Sequence, residues 1–164
     1  MEFIYVGEIV STHGLKGEIK ITSSFPYKDM IFKEDFKLYV GKRKEELCVI
    51  THRIHKNYDM VTLKGITNIE DAIAYKGDAV YVNREDIKID GYLNEDLIGL
   101  NVYTNNKLIG QIETIMDSAA HDILVIKSEG KKHLVPYIDE FVKTIDIENK
   151  RIDIKVIEGL LNDN

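Results

Sequence analysis

The sequence predicts an all-β protein made of two small β-barrels with short helices, and three observations carry that reading. Apolar residues fall in short β-branched and aromatic runs, with turn signals about every ten residues. Only one segment reads clearly as a helix, and one polar stretch near the middle interrupts the strand rhythm, which then restarts. Runs of this kind favour antiparallel sheets that close on themselves, because closure removes exposed edges.

In the first half the runs hold Phe3, Tyr5, Ile9, Ile19, Ile21, Leu38, Val40, Leu47, Val49, Met60, Val61 and Leu63, separated by Gly, Asn, Asp and Lys clusters. The helix is NIEDAIAY, from Asn68 to Tyr75. Thr67 or Asn68 can cap it, Glu70 and Asp71 lie in the first turn where the helix dipole favours acids, and Gly77 follows the last apolar position. A strand, GDAVYV, runs from Gly77 to Val82. The polar stretch NREDIKIDGYLNED then offers few packing residues and marks a boundary. The expected organisation is a first domain over 1–85, a linker over 86–93 and a second domain over 94–164.

Beyond the boundary the strand pattern returns in LIGLNVYT, KLIGQIETIMD, DILVIK, KHLVPYI, FVKTIDI and RIDIKVI. Asn105-Asn106, Ser128-Glu129-Gly130 and Glu148-Asn149-Lys150 are the turns between them. Pro136 cannot donate to a ladder, so its strand ends there or lies at an edge. Each unit is near the size at which a single core is only just sufficient.

Bulk composition bounds the function. A hydrophobic fraction of 44% is that of a packed globular chain. No apolar run reaches the roughly 18 to 20 residues of a membrane span, and MEFIYVGEIV lacks the basic stretch and cleavage site of a signal peptide, so a cytoplasmic protein is expected. The single Cys48 excludes an internal disulfide, and its neighbours Leu47 and Val49 predict a small buried side chain. The net charge of −6 argues against binding nucleic acid by blanket electrostatics. That charge is unevenly placed: residues 1–85 carry 13 Lys and Arg against 13 Asp and Glu, and residues 86–164 carry 9 against 15. Two surfaces with different partners are expected, one tolerant of phosphate and one suited to a basic protein.

Local motifs point away from catalysis. STHGLKGEIKI, Ser11 to Ile21, satisfies neither the Walker pattern nor the dinucleotide fingerprint, and it leads into the alternating EIKIT. It reads as a tight connection in which Gly14 and Gly17 supply backbone angles closed to other residues, with His13 and Lys16 able to touch phosphate if exposed. No metal site is expected. His52 and His55 point to opposite faces of a strand, and neither His13, His121 nor His133 stands in ligand spacing. Ser118, His121 and Asp122 are too close in sequence for a triad and read as a tight loop. Lys42-Arg43-Lys44, with Arg53, Lys56 and Tyr58 downstream, forms either a basic patch or a solvated hairpin tip. Paired acids such as Glu95-Asp96 and Asp139-Glu140 read as surface.

Taken together, four blocks resemble the RimM family of ribosome maturation factors: GEIVSTHGLKGEIKI, LKGITNIEDAIAYKGDAVYV, YLNEDLIGLNVYTNNKLIGQIETIMDSAAHDILVIK and HLVPYIDEFVKTIDIENKRIDIKVIEGLL. They cover nearly the whole chain in the family's order. The resemblance implies a six-stranded N-terminal barrel like those of translation elongation factors and a C-terminal PRC-barrel. It implies no enzymatic activity, no cofactor, and a monomer that acts on the immature 30S subunit and its 16S rRNA. Ribosomal protein S-nineteen is the implied partner, bound chiefly through the PRC-barrel at Tyr92, Leu93, Asp96 and Leu97. His13, Gly14, Lys16, Gly17, Lys42, Arg43 and Lys44 are the expected contacts to rRNA or the ribosomal surface. Where the family usually has an aromatic pair opening the PRC-barrel, this chain has Tyr92-Leu93, keeping one ring and one aliphatic side chain.

Two rival readings stand beside this one. A small β-barrel enzyme would use His121, Asp122 and Asp139. A general RNA-binding module would rest on Lys42 to Lys44, and its affinity would collapse with salt.

Overall fold

The computed structural model describes residues 1–155 and divides the chain into two compact units, residues 1–89 and 90–164. The final residues of the expected strand RIDIKVI, and the end of the second domain expected over 94–164, lie outside the described residues.

In the first unit, β1 (Phe3–His13), β2 (Glu18–Thr22), β3 (Lys37–Val40), β4 (Glu45–His55), β5 (Tyr58–Leu63) and β6 (Ala79–Asn83) close into a barrel in the order β1-β2-β5-β4-β3-β6. All its ladders are antiparallel. Alternation sorts the strands: Ile4, Val6 and Ile9 of β1, Ile19 and Ile21 of β2, Leu47 and Val49 of β4 and Val80 and Val82 of β6 are buried together. Each such side chain stabilises the barrel by about 1.5–3 kcal/mol. Register shifts between Ile9 and Ser11, Tyr5 and Gly7, and Val49 and Thr51 mark bulges, which add the coiling that closure needs. Gly7 lies in one of them, and a Cβ there would collide with the Thr22 carbonyl oxygen.

Cys48 departs from its expected burial. It stands between Leu47 and Val49, which face the core, so strand alternation turns its thiol outward and leaves it half-buried.

Two helices complete this unit. α1 (Lys28–Ile31) is one turn long, and the buried Ile31 holds it to the barrel. α2 (Ile69–Ile73) is the helix expected over Asn68 to Tyr75, shortened at its C-terminal end. Asn68 is the cap: its side-chain oxygen accepts from the Asp71 N–H at 2.8 Å.

The second unit begins with α3 (Asn94–Leu97), followed by β7 (Asn101–Thr104), β8 (Lys107–Met116), β9 (Ile123–Ser128), β10 (Lys131–Pro136), β11 (Val142–Asp146) and β12 (Arg151–Ile154). The six strands form one sheet in the order β10-β9-β8-β7-β12-β11. The β7–β12 pair is parallel. Val102, Ile112, Leu124, Ile126, Val135, Ile152 and Ile154 from five of these strands meet Leu97 and Leu100 in one core, which requires the sheet to wrap around it. Asn105 and Asn106 both take positive φ, 49° and 64°, as a two-residue hairpin between β7 and β8 demands. Pro136 ends β10, an edge strand.

Candidate functional site

The glycine pair of STHGLKGEIKI occupies the turn between β1 and β2. His13 pairs with Glu18 across it, and Gly14 and Gly17 take φ of 73° and 82°. Gly17 is constrained twice, because a Cβ there would stand 2.7 Å from the Asn68 carbonyl oxygen and 3.0 Å from the Asn68 nitrogen. The loop is thereby seated on the cap of α2. Gly14 faces open space. His13 and Lys16 are exposed, as is Leu15 at 83%.

The register brings other side chains to the same outer wall. Lys20 lies opposite Met60, which lies opposite Arg53, and His55 lies opposite Tyr58. Directly opposed residues share a face. Arg53 grips Glu18 through Nε at 2.9 Å and Nη2 at 2.7 Å. The His13 and His55 rings stand 6.1 Å apart, and the Lys20 ammonium lies 4.0 Å from the centre of the Tyr58 ring. Hydrogen bonds from Arg53 hold the Glu18 carboxyl below its ordinary range against the opposing effect of burial, and the charges of Arg53, His13 and His55 push the same way.

Sequence reasoning missed Lys20 and His55 here and grouped Arg53, Lys56 and Tyr58 with Lys42-Arg43-Lys44. The structure separates them. Lys42, Arg43 and Lys44 form the turn before β4, whereas Arg53 and Lys56 lie at its far end. Eight or more residues of extended strand, each about 3.3 Å long, intervene. Lys44 packs instead over the Tyr81 ring at 4.1 Å and the Phe3 ring at 5.8 Å. Tyr5 joins that cluster edge-on to Tyr81 and is 57% exposed. The strand alternation of THRIH was the available signal, since it places Arg53 and His55 on one face and His52 on the other.

That other face holds an ion cluster the sequence did not announce. Asp59, 1% exposed, accepts from Lys28 Nζ at 3.1 Å and stands 2.8 Å from His52 Nε2. His52 stacks on Phe32 at 5.3 Å. The arrangement ties α1 to β4 and β5.

In the second unit, Tyr92 is 39% exposed, while Leu93 and Leu97 are buried at 3% and 0%. This corrects two expectations. Leu93 and Leu97 lack surface to offer a partner, and the polar boundary stretch itself holds two buried apolar side chains, Ile87 and Leu93. Asp96 caps the turn: its carboxylate accepts from the Leu93 N–H at 2.8 Å while its own N–H donates to the Leu93 carbonyl. Ile98, just beyond, is 45% exposed. Burial raises the pKa of the half-buried Tyr137 phenol, and the charges of Tyr92, Asp122 and Asp139 add to the effect.

The Ser118–His121 segment is a loop, as expected. Ser118 Oγ bonds to the His121 carbonyl oxygen and accepts from the His121 N–H at 3.4 Å, and His121 Nδ1 stands 3.2 Å from the Asp122 carbonyl oxygen. The serine hydroxyl is thus committed to backbone groups and does not address the imidazole.

Comparison with known proteins places the chain. Residues 4–87 match the RimM N-terminal domain and residues 94–160 match the RimM PRC barrel domain. The ribosome maturation factor RimM of Staphylococcus haemolyticus is 43% identical over 97% of this chain and 99% of its own length. That of Streptococcus mutans is 36% identical over 100% of both. The solution structure of the N-terminal domain of RimM from Thermus thermophilus aligns with a TM-score of 0.47, with 19% identity over 54% of this chain and 98% of that domain. Two domain matches in order and full-length relatives above one third identity establish that this chain belongs to the RimM family of ribosome maturation factors.

Proposed function

We propose that the protein is a non-enzymatic assembly factor for the head of the immature 30S subunit, acting in the cytoplasm. Its second unit binds ribosomal protein S-nineteen and its first unit lies against adjoining 16S rRNA. The observation that carries this reading, beyond the family, is the division of charge. Residues 90–164 hold 8 Lys and Arg against 14 Asp and Glu, the whole net charge of −6, while residues 1–89 are balanced at 14 against 14. A basic ribosomal protein is attracted to the first of these surfaces, and a phosphate backbone is not repelled by the second.

On the second unit, Tyr92 presents its ring, and Leu93, Asp96 and Leu97 hold the turn that carries it. The mechanism is binding energy alone. The factor stabilises the assembly-competent conformer of its site and leaves when maturation reshapes that site.

Calorimetry of the full chain with isolated S-nineteen tests the proposal. Saturable binding is expected, weakened about five- to thirtyfold by Tyr92→Ala, the range of an interface anchor. Absence of binding by the folded wild-type chain would overturn the assignment of this partner.

A further inference from the structure

We infer that the outer wall formed by the end of β1, by β2 and by the far end of the β4–β5 hairpin is a binding surface for single-stranded RNA. Lys16, Lys20 and Lys56 neutralise phosphates there, and His13 and His55 offer ring faces to the bases. The inference rests on the ribosomal reading above and extends it from the β1–β2 turn to the β4–β5 hairpin.

The first support is charge. Within an acidic protein, this wall gathers Lys16, Lys20 and Lys56 beside an Arg53–Glu18 pair that is joined by a two-pronged bond and carries no net charge. Glu8 of β1 lies opposite Thr22, at the end of β2 away from Glu18, and Glu45 and Glu46 begin β4, away from its far end. Asp59 of β5 is buried with Lys28 and His52, and Asp71 of α2 accepts from the Asn68 side chain at 3.0 Å. Among the described residues, Lys16, Lys20 and Lys56 form no ion pair with a carboxylate, so their charges remain available.

The second support is the ligand's size and shape. These groups stand on an open strand face, with His13, Lys16, Arg53, His55 and Lys56 all exposed. A small anion on such a surface stays hydrated and screened. A polyanion gains from releasing several counterions at once. The two imidazoles, 6.1 Å apart and inclined at 39°, add exposed ring faces between the cations, the combination that holds single strands without reading their sequence. An acidic protein segment would satisfy the lysines but has no use for the rings.

The test uses the full chain and a 5′-labelled 12-nucleotide oligouridylate followed by fluorescence anisotropy from about 50 to 200 mM salt. Removing three phosphate contacts in Lys16→Gln/Lys20→Gln/Lys56→Gln should flatten the log–log salt slope by about 2 and weaken binding at least tenfold at the low-salt end. Lys107→Gln/Lys127→Gln/Lys143→Gln changes the net charge equally on the second unit and should leave both quantities nearly unchanged. His13→Ala/His55→Ala should weaken binding at least fivefold with the slope intact, because stacking releases no counterions.

Equal losses in the two lysine triples, failure of the wild-type chain to bind the oligonucleotide, or equally effective competition by polyglutamate would overturn the inference. Binding of all variants to small-subunit precursors separates it from the reading it rests on. Precursor binding undiminished by the Lys16, Lys20 and Lys56 changes would overturn the RNA surface and leave the assembly role standing. Oligonucleotide binding that depends on these residues in a protein with no affinity for precursors would support the surface and remove the assembly role.

Discussion

At the scale of single residues, the two glycines of the β1–β2 turn separate two costs that a sequence reading merges. Both take positive φ, where a side chain costs roughly 1–2 kcal/mol. Only Gly17 also stands against the backbone of Asn68, with the site of a Cβ 2.7 Å from a carbonyl oxygen that belongs to the cap of α2 and cannot rotate away. Gly14→Ala should therefore cost about 1 kcal/mol and Gly17→Ala about 2–4 kcal/mol. For a unit of this size the second change lowers the melting temperature of the first barrel by on the order of 10–20 °C. Thermal unfolding of the two variants, followed by circular dichroism, checks the difference. Equal shifts would mean that the loop does not sit on Asn68.

At the scale of elements, α1 shows how a single helical turn is held. Four residues are too few for a helix to persist on its own. Ile31 anchors its apolar side, and Lys28 bonds to the buried Asp59. Asp59→Ala deletes the buried carboxylate and Lys28, one-third exposed, can return to water, so this change should cost about 1–2 kcal/mol for the lost bonds to α1 and His52, seen in denaturant unfolding. Lys28→Met leaves that carboxylate buried with His52 as its remaining partner, so it should cost more, about 2–4 kcal/mol, while also speeding amide exchange at Met30 and Phe32, whose N–H groups close the turn. Exchange unchanged in Lys28→Met would leave Ile31 as the sole anchor. The strands of both units were legible because each is a short β-branched or aromatic run bounded by turn residues, and α2 because its cap and acidic first turn are local. α1 and α3 were not, since one turn has no periodicity to display. For the same reason Leu93 and Leu97 were expected as partner contacts until their burial was visible. The basic wall was legible only in part: Gly14, Lys16 and Gly17 are contiguous, whereas Lys20, Arg53 and His55 meet through β2–β5–β4 pairing, a long-range fact that no local pattern encodes.

At the scale of the whole molecule, the division of charge is the property most directly readable from the chain, and it has a kinetic consequence. All of the net charge of −6 belongs to residues 90–164, so a basic partner is steered to that unit over distances beyond direct contact. Such steering acts on encounter and is screened over a Debye length of about 8 Å at physiological salt. The contact proposed for the turn around Tyr92, by contrast, would rest on apolar area and short-range bonds, which act on the lifetime of a complex. Raising salt from about 50 to 200 mM should therefore slow association with S-nineteen severalfold and change its dissociation rate little. Replacing Glu95, Asp139 and Glu140 by their amides should reproduce the slow association already at low salt, whereas Tyr92→Ala should quicken dissociation and leave association nearly as it was. Stopped-flow measurement of both rates decides it. A dissociation rate that responds to salt as strongly as association does would mean that the contact is held by ion pairs, and the role given to the Tyr92 turn would pass to the acidic side chains around it.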